Sequence, residues 1–272
     1  YPAGFIPGSE HISIRNKVQN FKGGNFILTV PSGNYRCLPA PYERACVIAD
    51  YFKQKKLKAK VILLDENNTI TIKKQGFQSA FDELYADYIE YIPNTAIKNI
   101  DLDKKIVTTD FEEIEFEEAA FYPHVRGAKI LERVGIAKDA KNMLEGNIDP
   151  LTYEVKGEKD IFITGDSRPM GFSKSGNTSN SEGHHVAKLI AQKINKTKKI
   201  EWYPPTTTCF SAVSINPERA IYIYTQYAYN KVDATFDFAS TVSSENWDKD
   251  GKVNADSIYE WATALYSDMF EK

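Results

Sequence analysis

The chain has 272 residues, with 34 Lys and Arg against 37 Asp and Glu for a formal net charge of -3, and it is 42% hydrophobic and 26% charged. That length leaves room for roughly two domains with their own cores, the near-balanced charge supplies no field for nucleic acid or an acidic membrane, and no apolar run approaches the ~20 residues that span a bilayer. Three cysteines, Cys37, Cys46 and Cys209, are too few and too scattered for a disulfide scaffold or a zinc site, and an odd count leaves at least one free thiol. The first residue is Tyr, and YPAGFIPG has neither a basic n-region nor an apolar h-region, so the chain reads as an internal piece of something longer.

NFILTV (25–30) reads as a short strand, followed by a Pro/Gly loop and a helix from about Tyr42 with Ala45, Ile48, Ala49 and Phe52 on one face. KVILLD (60–65) is a buried-type strand ending in an acid, which completes a βαβ unit of a parallel sheet. A dinucleotide-binding unit would carry G-x-G-x-x-G in its first loop, so that backbone reaches the pyrophosphate. Here the loop is PSGNYRCLPAPYERA: only Gly33 suits that part, Pro39 and Pro41 remove backbone donors, and Arg36, Cys37 and Leu38 fill the phosphate's space. Neither NADH nor NADPH is expected to bind, since Asp65 alone would grip only a ribose.

A second helix is predicted over about 77–90, with Phe77, Phe81, Leu84, Tyr85 and Tyr88 as a core-facing aromatic stripe. IKNIDLDKKIVTTDFEEIEF reads as a three-strand meander with turns near 101–104 and 110–112, AAFYP (119–123) as a further strand, and AKILERVGI as a charged helical stretch. IFITGD is a buried strand ending in Gly165-Asp166, followed by a Ser/Gly/Asn-rich loop and the helix HHVAKLIAQKIN with Val186, Ile190 and Ile194 on its seam. An acid closing a strand before a polar loop and a helix N-terminus presents a site at a sheet's carboxyl edge; a surface loop capped by Ser181 or Asn180 is the other reading. KTKKIEW reads as a solvated basic helix end. Two Tyr/Thr-rich strands, WYPPTTTCFSAVSI and AIYIYTQYAY, a polar linker over 240–254 and an amphipathic helix, SIYEWATALYSDMF, complete the chain.

RCLPAPYERA (36–45), TGDSRPMGFSKSGNTSNSEG (164–183), TTTCFSAVSI (206–215) and the closing EWATALYSDMF resemble, in order and spacing, the flavoprotein subunit of flavocytochrome c sulfide dehydrogenase, a relative of sulfide:quinone oxidoreductase within the FAD-dependent disulfide reductases. The resemblance implies an α/β fold in three parts. Residues 1–125 form a Rossmann-like inserted domain, 126–200 the returning half of an FAD domain, and 201–272 an α+β C-terminal domain near the flavin. It also implies that the G-x-G-x-x-G segment for FAD lies outside this sequence, so that the 272 residues alone would be colourless and inactive.

In that family two redox-active cysteines lie beside the isoalloxazine, and the matching positions are Cys37 and Cys209. Sulfide attacks a disulfide sulfur and the released thiolate passes electrons to the flavin. The resemblance gives Cys37 the persulfide and turns Cys209 to the flavin. Glu43 matches a glutamate near the disulfide, as a proton carrier or as a carboxylate favoured by the helix dipole. Asp166, after Gly165, matches the acid on the FAD ribityl chain; Lys174, Ser175, Gly176 and Glu182 match the loop and helix start at the flavin. Trp261 matches an aromatic residue near the flavin, and read alone is a core aromatic. Leu38 and Ala40 replace Pro and Gly, the loop before Lys174 differs in length, and Glu182 replaces a Gln, where a bare carboxylate would oppose an anionic reduced flavin.

Cys46 reads as a small buried hydrophobe, and His11, His124, His184 and His185 have no metal-ligand spacing, so no metal is expected. The resemblance implies an enzyme that oxidises sulfide with FAD and delivers electrons to a c-type cytochrome in the periplasm. The alternatives are quinone as acceptor and a non-catalytic, partner-binding domain without flavin; the closing helix mixes Ile258, Trp261, Leu265 and Phe270 with Asp268 and Glu271, which does not favour a membrane seat.

Overall fold

The computed structural model describes residues 3, 4, 6, 8–138, 144–197, 203–233 and 235–271. Its centre is a parallel sheet of four strands in the order β3-β2-β1-β7, formed by β1 (Gly24–Val30), β2 (Ala59–Asp65), β3 (Ile89–Ile92) and β7 (Glu118–Ala120). Strands covered on both faces need apolar side chains in both directions. Phe26, Leu28, Val30, Val61 and Leu63 enter one core with the helix α2 (Ala40–Gln54), while Ile27, Ile62 and Leu64 enter another with Val107, Ile114 and Phe116 of the opposite layer. That layer is the expected meander, β4 (Ile97–Asp101), β5 (Ile106–Thr109) and β6 (Glu113–Glu115). A first helix, α1 (Ser9–Asn20), precedes β1. Phe21 stacks on Phe52 at 4.9 Å between ring centroids and lies edge-on to Phe26 at 5.5 Å.

The helix predicted over 77–90 is shorter. It runs as α3 (Lys74–Ser79), widens into a π turn (Ala80–Leu84) and stops; Ile89–Ile92 instead pairs with Val61–Leu64 as an edge strand. The β-branched and aromatic residues of IEYI suit that edge, and pairing with an existing strand outweighs local helical pattern. The aromatic stripe still packs inward: Phe77, Phe81 and Tyr85 are buried.

Downstream come α4 (Lys129–Arg133), a two-stranded ladder of β8 (Ala137–Lys138) and β9 (Glu145–Gly146), and α5 (Gly176–Ile194). IFITGD does not form the expected sheet strand. Its backbone makes isolated bonds to 153–155, and Gly165–Ser167 is a 3-10 turn. Helix α5 begins eight residues before HHVAKLIAQKIN, because Ser175 caps it by accepting a hydrogen bond from the Thr178 N–H at 3.2 Å. The region is held by two buried ion pairs. Arg168 Nε donates to Glu182 Oε1 at 2.7 Å with both side chains fully buried, and Lys174 Nζ donates to Glu145 Oε1 at 2.6 Å. Residues 198–202 of the basic run KTKKIEW lie outside the described residues.

The C-terminal part is an antiparallel sheet, β10 (Thr206–Ile215), β11 (Glu218–Asn230) and β12 (Thr235–Ser244), backed by α6 (Gly251–Phe270). The linker expected over 240–254 is corrected: Ser240–Ser244 completes β12 and Gly251 opens α6. With one face in solvent, β12 carries Ser and Thr that composition alone reads as loop.

Arg168 also donates to the Met170 and Ser173 carbonyls, so its charge organises the whole 168–174 loop. Arg168→Met, which strands the Glu182 carboxylate, is expected to lower stability by about 3–5 kcal/mol, read from urea unfolding; a loss under about 1 kcal/mol would show that water reaches the pair.

Candidate active site

The loop after β1 carries Cys37 to the start of α2. Tyr35 OH donates to the Leu38 carbonyl at 2.8 Å, Tyr122 OH to the Arg36 carbonyl, and the Cys37 N–H to the Lys174 carbonyl at 2.8 Å. The Cys37 carbonyl accepts from the Ala40 N–H at 2.9 Å. These bonds hold Cys37 at φ +51°, a left-handed conformation that costs a side-chain-bearing residue about 1–2 kcal/mol. Pro39 and Pro41 suit the first turn of α2, where N–H groups have no helical partner.

Cys209 arrives from β10. The strand's two-residue period sends Thr207, Cys209, Ser211 and Val213 to one face, toward the rest of the molecule. Glu43, on the first turn of α2, accepts a hydrogen bond from the Ala212 N–H at 2.8 Å. Lys73, the residue before α3, is 3% exposed, and its ammonium donates to Ser211 Oγ at 2.7 Å, the Cys209 carbonyl at 3.2 Å and Cys209 Sγ at 3.6 Å. A thiol, a carboxyl, an ammonium and a hydroxyl thus gather from three segments, and the Cys37 thiol, from a fourth, interacts with Cys209, Glu43 and Lys73 through their charges.

Burial dominates their ionisation. The Cys37 thiol is pushed up to about 12, first by desolvation and then by repulsion from Cys209 and Glu43, while Lys73 and the Ala40 N–H act against the rise. Desolvation likewise raises Cys209, with the Lys73 ammonium opposing it most strongly. Glu43 is raised by burial, against the Ala212 N–H and Lys73. Glu43 also lines a cavity of about 630 Å³ between α1 and α2, with Ile14, Val47 and Asp50 among its walls. Cys46 stands apart, packed in the core beside Ala45 and Ala49.

The residues expected at the flavin gather around the same region with unequal freedom. Gly165 takes φ +67°, and Asp166 after it is half-buried and paired to Arg36 Nε at 2.9 Å. Ser175 caps α5, and Asn177 Oδ1 accepts from the Thr208 N–H at 2.8 Å, which ties the helix start to the cysteine strand. A Cβ on Gly176 would meet open space. Lys174 is closed inside the protein, its ammonium on Glu145 and on the Asp166 carbonyl at 2.6 Å. The expectation of a bare carboxylate at Glu182 is corrected, since Arg168 neutralises it and the Gly165 N–H donates to its other oxygen at 3.1 Å. Trp261 packs on Phe210 at 5.7 Å. Because Phe210 and Cys209 are successive strand residues, that packing is on the opposite face of β10 from the Cys209 thiol.

Sequence reasoning missed Lys73 and Arg168. Arg168 lies in a stretch read as polar loop, and Lys73 is one of two lysines in TIKKQGF, where only the apolar run after it gave a signal. The four histidines have ordinary partners: Gly4 O for His11, Glu66 for His124, Asp268 for His184 and Leu151 O for His185. Among the described residues no group of three or more His, Cys, Asp or Glu is placed to hold a metal ion.

Two family profiles match the chain: the central region of the sulfide dehydrogenase (flavocytochrome c) flavoprotein chain over residues 12–121, and the flavocytochrome c sulphide dehydrogenase flavin-binding region over 204–270. The chain belongs to this flavoprotein family. Among solved structures it is similar to a chain of the Tetrahymena thermophila mitochondrial ATP synthase, with TM-score 0.60, 16% identity, 78% of this chain and 52% of that one. It is also similar to the HOCl-induced flavoprotein disulfide reductase RclA of Escherichia coli, with TM-score 0.53, 12% identity, 75% of this chain and 43% of that one. The fold is therefore that of a flavoprotein disulfide reductase, with a parallel sheet and a C-terminal antiparallel sheet, and the chain spans about half the length of these relatives.

The residues present suit the flavin end of FAD, the family's cofactor, in one part and not in another. Asp166, partly exposed after the left-handed Gly165, and the first turn of α5, whose terminal N–H groups lack helical partners, suit a hydroxylated chain or a ring carbonyl. Lys174 and Glu182 do not, because both charges are already paired inside the protein.

Asp65 is equally committed. Its carboxylate accepts from Tyr42 OH at 2.7 Å, Tyr91 OH at 2.9 Å and the Asn67 N–H at 2.8 Å, so it offers no grip on a ribose. Titration with NADH, followed by fluorescence, is expected to give no saturable change; a micromolar Kd would overturn this reading of the 31–41 loop.

Proposed function

We propose that the protein oxidises sulfide through the Cys37 and Cys209 pair, with FAD as the electron acceptor in the whole protein and a c-type cytochrome as the next carrier, in the periplasm. The family supplies the coarser statement, a flavoprotein oxidoreductase of the sulfide dehydrogenase type. What supports the finer one is the convergence of both cysteines with Glu43, although 172 positions separate Cys37 from Cys209.

Hydrosulfide attacks Cys37 of the oxidised pair, and Cys37 carries the sulfur as a persulfide while Cys209 is released. FAD, when bound, supplies a two-electron acceptor beside Cys209. Glu43, whose carboxyl burial raises above the ordinary carboxylate range, is placed to pass a proton between the thiols and the cavity behind α2. Asp166 and the start of α5 would hold the cofactor's hydroxylated chain or a ring carbonyl.

The retained cluster of two thiols, Glu43 and Lys73 favours catalysis over a partner-binding domain that has lost its chemistry. Apolar surface is open on β12 at Phe238 and Val242 and on α6 at Tyr259, Tyr266 and Phe270, and it suits a protein partner such as the cytochrome. No helix among the described residues is long and apolar enough to cross a membrane.

The test is sulfide-dependent reduction of a c-type cytochrome by the flavin-loaded protein. Cys37→Ser and Cys209→Ser are each expected to abolish it, and Glu43→Gln to lower kcat by about 100-fold. Turnover surviving in either cysteine variant would overturn the proposal, and reduction of quinone with none of cytochrome would transfer it to the quinone-linked relative.

A further inference from the structure

Lys73 is unusual in its setting. An ammonium is almost never fully buried without an anionic partner, because desolvation costs several kcal/mol that hydrogen bonds to neutral groups offset only in part. Its three N–H donors are matched by three acceptors, all on β10: the Cys209 carbonyl, Ser211 Oγ and Cys209 Sγ. No carboxylate lies within ion-pair distance among the described residues, since Glu43 bonds the Ala212 N–H and acts on Lys73 only through space. Of the three acceptors, only the sulfur can take on a negative charge.

The position is also built. Lys73 sits in the left-handed region, φ +49°, on the residue that opens α3, and its carbonyl accepts the Phe77 N–H at 3.0 Å. The Phe77 ring lies 6.0 Å from the ammonium, so an aromatic face and a helix start aim the amine at the strand. Cys37 has the Ala40 N–H at the start of α2 as its donor and feels Lys73, Arg44 and Glu43 through their charges, but the ammonium's hydrogen bond goes to Cys209.

We propose that Lys73 is a catalytic residue of the cysteine pair, the cation that makes Cys209 the leaving thiolate and so directs sulfur to Cys37. In the step concerned, HS⁻ attacks Sγ of Cys37 in the Cys37–Cys209 disulfide. A new S–S bond forms to Cys37, the old one breaks, and its electron pair departs on Cys209 Sγ. The incoming sulfur is oxidised, the Cys209 sulfur is reduced, and one negative charge is conserved as it moves from hydrosulfide to Cys209. Lys73 meets that charge where it lands, as a preorganised donor does. Without the ammonium either sulfur could leave, and the persulfide would divide between the two cysteines.

This inference rests on the cysteine-pair reading, and its test needs neither flavin nor sulfide. The reduced protein is alkylated with limiting iodoacetamide from about pH 7 to about 12, and the Cys37 and Cys209 peptides are quantified by mass spectrometry, their order of labelling giving the order of the midpoints. The groups that set the midpoints are Cys37 on its loop, Glu43 and Arg44 on α2, Lys73 before α3, and Ser211 and Cys209 on β10. In the wild type the Cys209 midpoint is expected below that of Cys37. Lys73→Met is expected to raise the Cys209 midpoint further, so that labelling at a fixed pH falls roughly tenfold, and Lys73→Arg to leave it near that of the wild type. A wild-type Cys209 midpoint at or above that of Cys37, or an unchanged midpoint in a natively folded Lys73→Met, overturns the proposal. If Lys73→Met does not fold, the wild-type order and the Lys73→Arg profile decide. A protein that titrates as stated but does not turn over sulfide refutes the function and leaves only Lys73 as the cation of the Cys209 thiolate; one that turns over sulfide with an unchanged midpoint in Lys73→Met refutes the role of Lys73 and leaves the function standing.

Discussion

The backbone of β10 is held by side chains from the layer beneath it, and the site depends on that docking. Glu43 and Asp50, a heptad apart on α2, accept the Ala212, Ile215 and Asn216 N–H groups, and Tyr85 OH donates to the Val213 carbonyl at 2.7 Å. A strand normally satisfies its backbone with neighbouring strands; here the free side of β10 is satisfied by carboxylates and a phenol. Val213 and Ile221 enter the same core as Phe77 and Phe81, so hydrophobic burial and polar satisfaction select one register. A shift of one residue would turn Cys209 away from Lys73 and set Phe210 in its place.

The same docking sets the electrostatics. Thiols, carboxyl and ammonium lie in a region poor in water, where desolvation dominates each group and neighbouring charges count for more than at a surface. Both thiols rise, so the reduced pair holds its protons and the oxidised pair depends on local donors to stabilise whatever charge is released. Glu43 joins the two requirements: one oxygen fastens β10, and the carboxyl borders both the thiols and the cavity between α1 and α2. Elsewhere buried charges close options. Asp65 is held by tyrosines and Asn67, Glu182 by Arg168, and Lys174 by Glu145, which leaves Asp166 as the acid at the mouth of the site, paired at the surface to Arg36.

Much of the molecule is legible in the order of its residues. The run KVILLD and the alternation in IKNIDLDKKIVTTDFEEIEF mark a buried parallel strand and a half-exposed meander because side-chain period and burial are local properties of extended chain. Pro39, Pro41 and Cys37 exclude a phosphate cradle from the first loop, whatever else the fold does. RCLPAPYERA, TGDSRPMGFSKSGNTSNSEG, TTTCFSAVSI and EWATALYSDMF, in that order, point to the family whose profiles match the chain.

Errors arose where a neighbour distant in sequence decided the outcome. Tyr88 and Ile89 continue a helical stripe on paper, but the open edge of β2 draws Ile89 into a strand. The polar run 240–244 reads as linker because its partner, β11, supplies the pairing. Glu182 looks like an unpaired acid until Arg168 folds back onto it, and Lys73 carries no local mark of its role. The sequence by itself determined the βαβ core, the meander and, through the resemblance of its motifs, the family, since side-chain period and motif spacing are properties of the chain alone. Only the tertiary structure decided which charges are spoken for and which cation faces which sulfur, because a buried charge is defined by the groups that replace its water, and those come from other turns of the chain, 14 residues away for Arg168 and Glu182 and 136 for Lys73 and Cys209.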